Sequence, residues 1–175
     1  MFRSVVRMGV LVAVAGLLAA PAASARESFS GKACSLFTAS EVAKIVGDSN
    51  PGKYKCVPGK NVATPAGTTY LAKAGPATRS QGGFFTINVV KYKSASIESR
   101  ARSQVKRGLK PVGGVGDWAY AKISMSPVVG GTVSAGEFVF GAKGYGVLIT
   151  VRAKLKKTVN QPALKALGKR IAGEL

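Results

Sequence analysis

The sequence predicts an α+β domain built on a single, mostly antiparallel sheet of about five strands with three helices packed on it. Three observations lead there. Runs such as Phe84 to Tyr92 alternate in polarity with a period of two. Three other segments carry apolar residues at helical spacing between start and stop residues. The last strands are joined by links too short for a parallel crossover.

Arg26 to Ala33 reads as a short flexible leader. The first helix follows within Cys34 to Gly47. Thr38 and Glu41 form a T-x-x-E capping box, and Phe37 and Val42 are placed as a hydrophobic staple. Gly47 supplies the left-handed stop. Asp48 to Gly67, rich in Asn, Pro, Gly and Lys, reads as an irregular excursion. Strands are expected at Thr68 to Ala74 and, after a loop from Gly75 to Gly83, at Phe84 to Tyr92, where Phe85, Ile87 and Val89 share one face. The second helix runs from Ser94 to Arg107 and ends at Gly108. Its narrow apolar stripe is Ile97, Ala101 and Val105. Beyond a turn at Pro111 to Gly116, strands are expected at Trp118 to Met125, Glu137 to Ala142 and Tyr145 to Arg152, the last two joined through Lys143-Gly144. Pro162 then opens a helix with Leu164, Leu167, Ile171 and Leu175 on one face.

Residues 1–25 have the three parts of a secretory signal in order. Arg3 and Arg7 give a positive start, Met8 to Ala20 an apolar run, and Ala23-Ser24-Ala25 a small-residue cleavage site. The apolar run of 13 residues is short for a transmembrane anchor, which needs about 20. Lipidation at Cys34 is disfavoured by Arg26, Glu27 and Lys32, which separate it from that run. The expectation is cleavage after Ala25 and one domain at 26–175, secreted or held in the periplasm or cell envelope, with no transmembrane segment in the mature chain.

An even pair of cysteines in an oxidising compartment argues for a Cys34–Cys56 disulfide. A two-thiol metal site is the weaker reading, because the chain has no His and no C-x-x-C spacing. The mature chain holds 24 basic and 7 acidic residues, a net charge of +17. Such a field attracts anionic partners, here an envelope polymer or a membrane surface, or serves solubility and general adhesion alone. Eleven cations are the candidate contacts: Arg100, Arg102, Lys106 and Arg107 on the second helix, and Arg152, Lys154, Lys156, Lys157, Lys165, Lys169 and Arg170 in the final segment. Few aromatics are interleaved with them, so specific nucleic-acid recognition is not expected.

No catalytic, cofactor or metal site is expected. Without His the commonest general base is missing, and the seven carboxylates form no cluster in sequence. Gly114-Val115-Gly116-Asp117-Trp118-Ala119 fits a G-x-G-x-x-A pattern. A dinucleotide site would need a strand before it and a helix after it, whereas Lys110-Pro111 precedes and a strand-like run follows. The glycines read as a turn.

Two of these stretches carry a likeness. Cys34, Leu36, Thr38, Glu41 and Val42 fit C-x-L-L-T-x-x-E-V apart from its second Leu, and Gly114, Gly116, Asp117 and Ala119 fit G-x-G-D-x-A. In these motifs the chain resembles a bacterial family of exported cell-envelope lipoproteins with a domain of unknown function. The resemblance spans nearly all of the mature chain and implies an α+β fold, an envelope location and a binding or sensing role. The chain departs from that family in lacking a lipidation Cys. The reading that emerges is an exported, non-catalytic binding module with a basic surface turned to an anionic polymer. A small-ligand carrier or sensor with a pocket between sheet and helices is the alternative, and an unrecognised hydrolase the third.

Overall fold

A computed structural model of the chain describes residues 31–76 and 82–175. The expected signal segment at 1–25, most of the leader at 26–33 and the middle of the Gly75 to Gly83 loop lie outside the described residues. Ala33, the last leader residue, is buried and opens a 3-10 turn that runs to Leu36.

Helix α1 spans Ala39–Val46 and starts as its sequence dictates. The Thr38 Oγ1 accepts from the Glu41 N–H at 3.2 Å, and Glu41 Oε2 accepts from the Thr38 N–H at 2.8 Å. Gly47 ends the helix at φ +73°. The last carbonyls of α1 are taken up across the fold: Lys154 N–H donates to Val46 O and Asn160 N–H to Ile45 O.

The sheet has eight strands rather than about five. The supposed irregular excursion contains β1 (Cys56–Pro58) and β2 (Val62–Thr64), both paired to β3 (Gly67–Ala74). β4 is Phe84–Tyr92, and β5 is the two-residue Lys110–Pro111. The remaining strands are β6 (Trp118–Val128), β7 (Gly131–Ala142) and β8 (Tyr145–Arg152). The main order is β1-β3-β4-β8-β7-β6-β5, antiparallel throughout. β1, β2 and β5 are too short to show a period, and Pro58 and Pro111 are tolerated because β1 and β5 are edges. β6 and β7 also extend past their expected ends, meeting at Val129-Gly130 in a long hairpin. The β7–β8 turn is type I′, with φ +50° at Lys143 and +80° at Gly144.

Phe85, Ile87, Val89, Phe138, Phe140, Val147, Ile149 and Val151 form one buried face of the sheet. Onto it pack Val42, Ile45 and Val46 of α1 and Leu164, Leu167 and Ile171 of α3 (Gln161–Glu174). Gly168 of α3 makes room for Phe138: a Cβ there would lie 2.2 Å from the Phe138 ring. Helix α2 (Ala95–Val105) stands on the opposite face. There the Trp118 ring lies over Gly141, and its Nε1 donates to Glu98 Oε1 of α2 at 3.0 Å. The helices therefore flank both faces of the sheet. The division follows their stripes, because α2 has no fully buried residue whereas α1 and α3 bury several each.

A buried node secures the end of α1. Tyr54 donates to Asp48 Oδ2 at 3.1 Å, the Asn50 N–H donates to Asp48 Oδ1 at 3.1 Å, and Lys154 Nζ lies 3.7 Å from Asp48 Oδ1. Burial pushes the Asp48 carboxyl up, but the bonds from Asn50 and Tyr54 and the charges of Lys154 and Lys53 outweigh it and hold it below its usual value. Burial, then the hydrogen bond to Asp48 and its charge, pushes the Tyr54 hydroxyl up to about 12. The folded state thus keeps a proton that the unfolded chain gives up near pH 10. The stabilisation is complete below about pH 10 and declines as pH rises towards 12. Urea titrations from pH 9 to about 12 should show a steeper fall for the wild type than for Tyr54→Phe. Parallel curves would contradict this.

Candidate functional site

The eleven candidate cations do not converge: four lie on α2 and its continuation, and seven are spread over the end of β8, the segment after it and α3. Arg100, Arg102, Lys106 and Arg107 are exposed on α2 and the turn that continues it. At about 100° per residue, Arg100 and Arg107 lie on one flank of the apolar stripe and Arg102 and Lys106 on the other. Ser99 and Ser103 form the crest between the flanks. Lys110 of β5, not among the eleven, is exposed just beyond, but it pairs with Ala121, whose side chain faces the α3 side of the sheet, so it does not join this set.

Within this stretch Glu98 is the single carboxylate, and it is turned away onto the Trp118 indole. That link fixes α2 to the sheet and leaves its outer surface without a negative charge. On the helical wheel Glu98 sits beside Val105 at the edge of the apolar stripe, which marks it as inward-facing without naming its partner.

The second group is dispersed and partly committed. Arg152 lies at the far end of β8, paired across to Phe84 and Ala135. Six residues separate it from Gly146, the position nearest Trp118 on that strand, a span of about 20 Å. Lys154 is engaged with Asp48. Lys156 and Lys157 lie in the segment after β8, and Lys165 and Lys169 are exposed on α3. Arg170 is a structural clamp. Its Nε and Nη2 donate to the two carboxylate oxygens of Glu41, each at 3.0 Å; Nη2 also reaches Leu36 O, and Nη1 bonds Glu174. These contacts tie α3 to the start of α1.

Arg170→Ala should lower stability by about 2 kcal/mol through loss of charge-assisted bonds to Glu41. Lysine at this position should restore little, because an ammonium cannot reproduce the two-pronged geometry. Urea unfolding of both variants checks this; wild-type stability in Arg170→Ala would refute it.

The remaining carboxylates are similarly placed. Asp117 accepts from the Lys143 N–H at 3.1 Å, so the G-x-G-D turn is pinned to the β7–β8 hairpin. Gly116 is required there: its φ is +55°, and a Cβ would fall 2.3 Å from Gly141 O. Glu137 lies exposed between Thr150 and Lys122 in the sheet. Glu41 and Glu174 approach each other only through Arg170.

A groove of about 360 Å³ opens between the β6 edge and the first turn of α3. Val112, Ala121, Ile123, Phe138 and Leu164 line it, with Lys165 at the side. It exists because α3 covers β7 and leaves the core face of β6 without a helix. Comparison with protein-family models, with curated proteins and with solved structures finds no match.

Cys34 and Cys56 are bonded, with Cα atoms 5.8 Å apart, joining the turn before α1 to β1. Among the described residues no helix is long and apolar enough to cross a membrane. Nor do three or more His, Cys, Asp or Glu side chains come together among them.

Proposed function

We propose that this protein is an exported, non-catalytic binding module that holds an anionic polymer of the cell envelope against α2. The observation that carries the reading is the run Arg100, Arg102, Lys106 and Arg107, all exposed, on a helix whose one carboxylate is bonded to Trp118. Charges held on a helix at fixed spacing suit a repeating anion, and their long side chains adapt to its path. Export is supported by the signal-like residues 1–25 and the disulfide, and the likeness of CSLFTASEV and GVGDWA to envelope lipoproteins agrees with it.

Binding of this kind releases counterions, so it should weaken steeply with salt. For roughly four contacts the expected slope of log K against log salt is about −3.6, or around 150-fold between ~50 and ~200 mM. Titrating heparin and a teichoic-acid-like polyphosphate into the protein over that range tests it. Affinity that ignores salt, or equal affinity for neutral dextran, would overturn the reading.

The apolar groove favours a second reading, a small-ligand carrier, because its volume falls within the range of small-molecule sites. An environment-sensitive apolar dye should then brighten on binding and be displaced by Ala121→Trp, which fills the groove. Dye binding unaffected by that substitution would remove the second reading.

A further inference from the structure

The β6–β7 hairpin runs well past the rest of the sheet. β8 ends its pairing at Arg152 opposite Ala135, while β6 and β7 continue to Val128 opposite Gly131. At the tip Val129 is wholly exposed, and Met125 and Val128 are 62% and 41% exposed. Three of the large apolar side chains left in water thus fall within five consecutive positions. Nothing in the packing of the domain calls for them there, because the core is complete without them.

The chain after β8 builds a basic support against this arm. Ala153 N–H donates to Ser134 O, and Lys156 N–H donates to Thr132 O at 3.1 Å. Leu155 packs beside Gly130 and Gly131, and the stem of Lys156 lies against Gly131. Lys156 adopts φ +62°, a backbone conformation that side-chain-bearing residues avoid. The segment therefore holds a cation against Gly131, the partner of Val128 at the tip.

We propose that this hairpin tip is a membrane-surface contact. Met125, Val128 and Val129 enter the interfacial region of an anionic bilayer, and Lys156 meets its head groups. The alternative occupant is a second copy of the chain, and two features oppose it. Beyond Ala121 the outer edge of β6 has no partner strand among the described residues, yet Pro127 removes a donor from that edge. A mature charge of +17 also repels a second copy while drawing the protein to an anionic surface. The contact is separate from α2: Trp118, which anchors that helix, lies ten residues back along β6, a distance of about 33 Å.

The test is binding to vesicles of phosphatidylglycerol mixed with phosphatidylcholine, to phosphatidylcholine vesicles, and to heparin. The wild type should bind the anionic vesicles, and Val128→Ser/Val129→Ser should bind them at least roughly tenfold more weakly. Heparin affinity should be unchanged in that variant. A fluorophore on Val129→Cys should shift to the blue on anionic vesicles, which reports entry into the interface independently of affinity. Failure of the wild type to bind, equal vesicle binding by the double variant, or an unshifted fluorophore would each overturn the proposal. So would parallel loss of heparin binding, or a concentration-dependent dimer that the double variant abolishes. Loss of heparin binding by the wild type alone would count against the α2 reading and leave this one standing.

Discussion

Replacing Arg100, Arg102, Lys106 and Arg107 together by glutamine should weaken binding to a sulfated or phosphorylated polymer by on the order of 10²–10³-fold at ~0.1 M salt. The salt slope should become shallower by about 3.6, close to 0.9 for each contact removed. The four side chains are exposed on α2 and its continuation, and none bears on the core, so the variant should fold as the wild type does. The comparison is Lys165→Gln/Lys169→Gln on α3, which removes two exposed charges from the other side of the sheet. That pair should cost only the general field, a few-fold in affinity. If the two variants lose affinity in proportion to charge alone, the protein attracts polyanions through net charge and α2 has no special part.

The Cys34→Ser/Cys56→Ser double variant should be less stable by about 3 kcal/mol, since the bond closes a loop of 22 positions. For a chain of this size that corresponds to a fall in Tm of roughly 6–12 °C. The effect should concentrate at one corner, because β1 is an edge strand of three residues, paired to β3 on one side only. Amide exchange should therefore rise in Cys56–Pro58 before it rises in β4 or β8. A thermal midpoint unchanged by the double substitution would show that pairing to β3 is sufficient without the bridge.

The elements with local signals were legible in the sequence. Thr38, Glu41 and Gly47 specified α1 at both ends, the alternation of Phe84 to Tyr92 specified β4, and Lys143-Gly144 specified a hairpin turn. Strands of two or three residues were not legible, since β1, β2 and β5 exist through their neighbours rather than through any period of their own. The extension of the β6–β7 hairpin is masked in the sequence by Pro127, Gly130 and Gly131, which interrupt any strand-like alternation. They fit a hairpin because Pro127 lies on an edge and the glycines take positive φ at the tip.

The candidate site was legible as a list of cations but not as a surface. Which side of the sheet a helix occupies depends on Trp118 and Glu98 meeting across 20 positions, and no spacing rule announces that. Arg170 shows the same limit. It shares helical spacing with exposed Lys residues, yet its guanidinium is committed to Glu41, 129 positions earlier, whose capping role was read correctly but whose second partner could not be.

The central claim, that α2 forms the binding face, is tested most directly by following backbone amide shifts of isotope-labelled protein as heparin is added at low salt. The account predicts perturbations confined to residues 94–108 and to Trp118, whose indole would respond through Glu98. Perturbations centred on residues 152–170, or spread evenly over exposed lysines on both sides of the sheet, would contradict it.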